Sequence, residues 1–148
     1  MRWSRPVLLP DVNVLVYAHR ADALDHHRYR EWLATIVASP AAYGLADVVL
    51  SGFVRIVTHP RVFEDPSPLE TALAFVSEIR DRPNAVLVSP GERHWDIFLT
   101  LCRGSRAKGN LVADAHLAAL AIESGSEWIT TDRDYARFAG LRWRHPLG

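Results

Sequence analysis

The sequence predicts a three-layer α/β/α domain with a short, mainly parallel central sheet. Brief apolar runs of strand length alternate along the chain with longer segments whose apolar residues recur at helical spacing. Most junctions between them carry Pro, Gly or Asp, the residues that stop or cap an element. The 148 residues contain no repeat, low-complexity stretch or linker, so one domain is expected over 1–148. A chain of this length buries about two thirds of its unfolded surface and needs no disulfide to support its core.

Val7 to Leu9 reads as a buried strand, and Asp11 then opens a helix through Val12, Val14, Leu15, Val16 and Tyr17. Asp25 to Ser39 is helical, with Trp32, Leu33, Ile36 and Val37 on one stripe and Pro40 as the stop. Tyr43 to Ala46 is a second strand, and Asp47 begins a helix that runs through Val57 and ends by Pro60. After a loop at Pro66–Pro68, Leu69, Ala72, Leu73, Val76 and Ile79 mark a helix up to Asp81. Ala85 to Val88 is a third strand, and Glu92 to Arg103 a helix with Trp95, Phe98, Leu99 and Cys102 on its core side. A basic loop, Gly104 to Asn110, leads into an apolar helix from Leu111 to Glu123 that Gly125 ends. Glu127 to Thr130 is a fourth strand, a short helix reaches Phe138, and Leu141 to Arg144 is an edge strand.

Composition narrows the class of function. A chain with 49% hydrophobic and 23% charged residues is not a disordered tail. Cys102 is the single cysteine, which excludes an internal disulfide and a cysteine zinc site and points to a reducing compartment. The apolar run behind Arg2 and Arg5 stops at Pro10, too short for a signal peptide, and no stretch of about 18 apolar residues exists to span a membrane. A cytoplasmic protein is expected. Seventeen basic residues, with Lys108 the only lysine, cancel seventeen acidic ones, so any nucleic-acid binding must be local.

Three carboxylates fall at the same topological place: Asp11 after strand one, Asp47 after strand two and Asp132 after strand four. That place is the carboxyl edge of the sheet, where ligand sites form, although Asp is also a favoured helix cap. Asp114 lies in the first turn of the apolar helix, where an unpaired charge costs several kcal/mol. Its partner is either a basic side chain, Arg55 or Arg106, or a cation shared with the other acids; an all-oxygen set selects Mg²⁺ or Mn²⁺.

Four blocks, LLPDVNVLVYA (Leu8–Ala18), GFVRIVTHP (Gly52–Pro60), DAHLAALAIE (Asp114–Glu123) and ITTDRD (Ile129–Asp134), resemble in order the PIN-domain ribonucleases, specifically the VapC toxins. The resemblance implies a Mg²⁺- or Mn²⁺-dependent endoribonuclease, neutralised by a small VapB-type antitoxin and working as a homodimer. Its products would carry a 5′-phosphate and a 3′-hydroxyl. By motif position Asp11 and Asp114 match the metal-binding aspartates and Asp132 the acid after the last motif strand. Asn13, Thr130 or Thr131, and Asp134 in the same block match supporting positions. The family carries Glu within two residues of Leu50, where this chain reads Val48, Val49, Leu50, Ser51 and Gly52. Asp47, one turn before Leu50, is the candidate replacement.

A divalent ion in such a site lowers the pKa of a bound water and neutralises charge on the phosphoryl oxygens. Arg103, Arg106 and Lys108, on the loop before Asp114, are candidates to meet RNA phosphates, as are Arg55 and Arg61. None of the seven histidines has zinc-ligand spacing with a carboxylate beside it, and His116 reads as a packed residue. Trp3 and Trp143 are open to base stacking. Two other readings compete: a catalytically weakened PIN-like module that only binds RNA or a partner, and a haloacid dehalogenase-type phosphatase, whose second Asp would here be Asn13.

Overall fold

The alternation of strand and helix survives in space. A computed structural model describes residues 6–148, so Arg2, Trp3 and Arg5 lie outside the described residues. Five strands form one sheet: β1 (Leu8–Pro10), β2 (Tyr43–Leu45), β3 (Ala85–Leu87), β4 (Glu127–Ile129) and β5 (Trp143–Arg144). Between them run α1 (Val12–His19), α2 (His26–Ala38), α3 (Asp47–Val57), α4 (Leu69–Arg80), α5 (His94–Ser105) and α6 (Asn110–Ser124), and a 3₁₀ turn, Arg133–Arg137, precedes β5.

All four strand pairings are parallel, in the order β3-β2-β1-β4-β5. A parallel sheet must be covered on both faces, which is why its inner strands are apolar without alternation. Leu9, Tyr43, Leu45, Trp128 and Ile129 are buried, and α1, α3 and α6 add Val14, Leu15, Phe53, Val57, Ala118 and Leu120 to the same core. Gly44 in β2 is required by this packing. A Cβ there would stand 3.1 Å from both Val7 Cγ1 and Val88 Cγ2.

The strand order locates the site. From β1 the chain steps outward through β2 to β3, then returns across the sheet to β4 on the other side of β1. With right-handed crossovers, connections that travel in opposite directions lie on opposite faces, so the loops after β1 and β4 diverge and leave a crevice between them. β1 and β4 are in register over all three residues, Leu8 with Glu127, Leu9 with Trp128 and Pro10 with Ile129, and the Asp11 N–H continues the ladder onto the Ile129 carbonyl at 2.8 Å.

The basic loop is shorter than expected. α5 continues to Ser105 and closes at Arg106, which takes the left-handed conformation while the Ala107 N–H reaches the Cys102 carbonyl at 2.9 Å. α6 starts at Asn110, which places Asp114 in its second turn rather than its first. Of the expected edge strand, only Trp143 and Arg144 pair with β4. Among the described residues no helix is long and apolar enough to cross a membrane.

Candidate active site

Asp11 is the residue that joins β1 to α1. Its backbone is extended and its side chain caps the helix, with Oδ1 accepting from the Val12 N–H at 2.7 Å. The other oxygen, Oδ2, accepts from the Thr130 hydroxyl, also at 2.7 Å. Thr130 follows β4, is fully buried, and its Oγ1 accepts in turn from the Asp132 N–H at 3.1 Å. One hydroxyl thus ties the two sides of the crevice together. Asp132 then caps the 3₁₀ turn, its Oδ1 accepting from the Asp134 N–H at 2.9 Å.

Asp114 approaches from α6, half-buried, and its Oδ1 accepts from the Tyr135 hydroxyl at 3.2 Å. Burial pushes the Asp11 pKa up; the Thr130 and Val12 donors oppose that, and the charges of Asp114 and Asp132 add to the rise. Asp114 is raised for the same reason, first by burial and further by Asp132 and Asp134, against the Tyr135 hydrogen bond. Burial and the three surrounding carboxylates hold Tyr135 protonated far above the ordinary phenol range, so its hydroxyl keeps the proton it donates to Asp114.

The ion pairs among the described residues are Arg20–Asp22, Arg80–Asp47, Arg137–Asp134 and Arg144–Glu127. None involves Asp11, Asp114 or Asp132. Among the described residues no three His, Cys, Asp or Glu side chains are spaced to hold a metal ion. The basic partner that Arg55 or Arg106 would have supplied to Asp114 is not formed, and Asp11, Asp114 and Asp132 act on one another through their charges uncompensated. Such a group is costly unless a cation joins it.

Asp47 does not join them. It is the first residue of α3, its side chain is 71% exposed, and its Oδ1 receives Arg80 Nε from α4 at 3.2 Å. β2 lies on the far side of β1 from β4, so the loop after β2 opens away from the switch point. The face of α3 that borders Val12 and Ala113 carries Val48, Gly52 and Arg55, and Leu50 is buried in the core. α3 therefore offers no acid to the crevice. Asp47→Asn is expected to leave any cleavage rate within about twofold and to change stability by under about 1 kcal/mol, the range of an exposed pair, as urea midpoints and initial rates would check.

Of the supporting positions, Thr130 carries the contact to Asp11, while Thr131 lines a separate cavity beside Tyr17. Asn13 sits half-buried in the first turn of α1, and Asp134 acts on Asp114 through its charge. Arg103, Arg106 and Lys108 are exposed around the α5–α6 junction; Arg55 is exposed in the last turn of α3, lining the groove with Ala113, next to Asp114. Arg61 is exposed beyond α3. His116 is packed as expected: its ring meets His94 at 4.3 Å, and its carbonyl is hydrogen-bonded to His94 Nε2 at 2.9 Å.

The profile of the PIN domain family matches residues 8–141. The chain belongs to the PIN domain family. Among curated PIN relatives, "VapC ribonuclease Mb2897" of Mycobacterium bovis is 48% identical over 141 residues, covering 95% of this chain and 96% of the relative. "Ribonuclease VapC25" of Mycobacterium tuberculosis is 39% identical over 140 residues, covering 95% and 99%. Among solved structures, the fold is similar to that of VapBC2 from Rickettsia felis bound to a fragment of its promoter DNA, with a TM-score of 0.67 at 15% identity over 94% of this chain and 98% of that one. It is also similar to VapC20 of Mycobacterium tuberculosis, described as a sarcin-ricin loop cleaving toxin, with a TM-score of 0.63 at 17% identity over 91% and 98%.

The three-layer PIN fold and the VapC resemblance read from the four sequence blocks are thus both found. What the sequence reading missed is Tyr135. It lies three residues past Asp132, and only the 3₁₀ turn brings its hydroxyl to Asp114. Tyr135→Phe removes that donor without changing the ring that packs on Trp128 at 5.5 Å and Phe138 at 5.8 Å. It is expected to cost about 1 kcal/mol of stability and up to about tenfold in metal affinity, measured by urea unfolding and a Mn²⁺ titration.

Proposed function

We propose that this PIN domain is an endoribonuclease toxin of a toxin–antitoxin pair, which cuts RNA phosphodiester bonds with a divalent cation and is silenced by a small VapB-type antitoxin. The observation that carries the reading is that the charges of Asp114 and Asp132 raise the pKa of Asp11, and that of Asp132 the pKa of Asp114, beside the sheet's switch point, with no basic partner in ion-pair range among the described residues. Their donors are all oxygen, which suits a hard ion, Mg²⁺ or Mn²⁺. Asp11 and Asp114 would hold it, with Asp132 beside them. When bound, such an ion activates water and stabilises charge on the phosphoryl oxygens.

The chain's own residues do the rest. Thr130 fixes the Asp11 carboxylate and Tyr135 that of Asp114, so neither has to reorganise when a cation arrives. A carboxylate whose pKa is raised is also better placed to accept the proton of an attacking water. Arg55, Arg103, Arg106 and Lys108, exposed on both sides of the α6 start, would meet phosphates of the strand. Support for the antitoxin comes from the VapBC complexes that share the fold. Homodimer formation belongs to the same reading.

One observation favours a second reading, a catalytically weakened module. α3 contributes no acid, and among the described residues no group of three or more His, Cys, Asp or Glu side chains is disposed to hold an ion on its own. Family membership leaves no room for the haloacid dehalogenase alternative.

The test is cleavage of a mixed RNA pool with Mg²⁺, with Mn²⁺ and with EDTA, alongside thermal unfolding in the same buffers. Cleavage that requires the metal supports the first reading, together with a stabilisation of about 2.7 kcal/mol at a hundredfold excess over the dissociation constant. Stabilisation without cleavage selects the second. Cleavage undiminished in EDTA sinks the metal-dependent reading.

A further inference from the structure

Beyond the acid cluster, a basic concavity lies between the start of α2, the 3₁₀ turn after Asp132 and the C-terminal segment. It encloses about 700 Å³ and is lined by Arg28, Tyr29, Arg133, Trp143, Arg144 and His145, among others. Three arginines line it against one acidic side chain, that of Asp25, in a chain whose charges cancel as a whole. Arg144 is partly engaged, its Nε on Glu127 at 3.1 Å. Arg28 and Arg133 are exposed and enter no ion pair among the described residues.

The aromatic groups are set among these cations. Trp143 is half-buried in the edge strand β5, and the His145 ring lies 6.2 Å from that of Tyr29. His145 Nδ1 accepts from the Leu147 N–H at 3.1 Å, so the proton of the neutral ring sits on Nε2, which remains a donor. Cationic groups interleaved with flat rings are the combination that binds single-stranded nucleic acid, the former by phosphate contact and the latter by stacking.

The cavity also adjoins the acids. Arg133 follows Asp132 directly, one peptide step of about 3.8 Å along the backbone. A strand with one phosphate beside Asp132 has Arg133 within reach of a neighbouring nucleotide.

We propose that this cavity is a nucleotide subsite for the RNA strand flanking the scissile phosphate, with Arg28 and Arg133 on phosphate and Trp143 against a base. The subsite rests on the ribonuclease reading for its substrate class. It assigns part of the RNA contact to the β5 side of the sheet, in a cavity that the Arg103–Lys108 junction does not line.

The experiment measures binding apart from cleavage. A fluorescein-labelled single-stranded RNA is titrated with the full chain in EDTA at several KCl concentrations, for the wild type and for the double variant Arg28→Ala, Arg133→Ala, both sites being exposed. The expected result is at least tenfold weaker binding, with a log–log salt slope shallower by about 1.4, or 0.7 for each phosphate that is no longer neutralised. In parallel, RNA carrying 4-thiouridine is expected to crosslink to the peptide 143–147. Unchanged affinity and slope overturn the subsite, as does crosslinking confined to 103–108. Loss of antitoxin binding with RNA binding intact overturns it too, by assigning the cavity to a protein ligand. A wild type that fails to cut RNA with either metal, yet loses RNA binding in the double variant, removes the ribonuclease reading and keeps the subsite.

Discussion

Asp11→Asn is expected to lower RNA cleavage by at least about a hundredfold while leaving the fold intact. Loss of an outer-shell partner alone costs a metal site 10- to 100-fold, and Asp11 is proposed to hold the ion itself. The effect on stability should depend on pH. Asn still caps α1 through the Val12 N–H but leaves the Thr130 hydroxyl without its acceptor oxygen, a cost that does not vary with pH, whereas the charge it removes is 6% exposed and faces Asp114 and Asp132. The sign follows from linkage. Because burial raises the Asp11 pKa above its ordinary 3.8, the native state holds this proton more tightly than the unfolded chain. The penalty is absent below about pH 3.8, grows as pH rises through the carboxylate range, and is full above the raised native value. Without divalent ions, the Asn variant should therefore gain on the wild type in urea midpoint between pH 4 and pH 7, and the gain should shrink when Mn²⁺ is added. A variant that cleaves normally would remove Asp11 from the mechanism.

Thr130→Val is the second large effect, and it acts on both stability and activity. The shapes match, but the substitution strips the Asp11 carboxylate of its buried donor and the Asp132 N–H of its acceptor. An unsatisfied buried group costs about 1–3 kcal/mol, so a loss of about 2 kcal/mol is expected, or roughly 6 °C in Tm for a domain of this size. Cleavage should fall 10- to 100-fold through misplacement of Asp11. The hydroxyl also lowers the Asp11 pKa, so without it the acid limb of the pH–rate profile shifts to higher pH. Thr130→Ser, which keeps the hydroxyl, should restore that limb. A profile that stays in place while the rate falls would mean that Thr130 supports the fold alone.

Most of the fold was legible because local signals agree with one another. Pro40, Pro60 and Gly125 bound helices where a missing N–H or a left-handed turn forces an end, and each of the five strands lies within a residue or two of its apolar run. The error at the α5–α6 junction has a local cause. Arg106 adopts a left-handed conformation that its side chain does not advertise, which lets α5 run on to Ser105 and starts α6 early. Asp11, Asp114 and Asp132 were legible as acids in suspicious places. Asp114 stood out because it interrupts an apolar helix, and Asp132 because it follows a strand at the carboxyl edge of the sheet.

Sequence by itself determined which segments become strands and helices, that the sheet is parallel, and that its carboxyl edge collects Asp11, Asp47 and Asp132. It could not rank them, because each has the same local description: an acid just past a strand. Strand order made the distinction. β4 pairs with β1 on the side away from β2, so the crevice opens between Asp11 and Asp132, while Asp47 faces α4 and pairs with Arg80. The reach of Tyr135 to Asp114 and the gathering of Arg28, Arg133 and Trp143 around one cavity were decided the same way. Each depends on contacts between residues distant in the chain, and local propensity and spacing carry no information about which distant segments become neighbours.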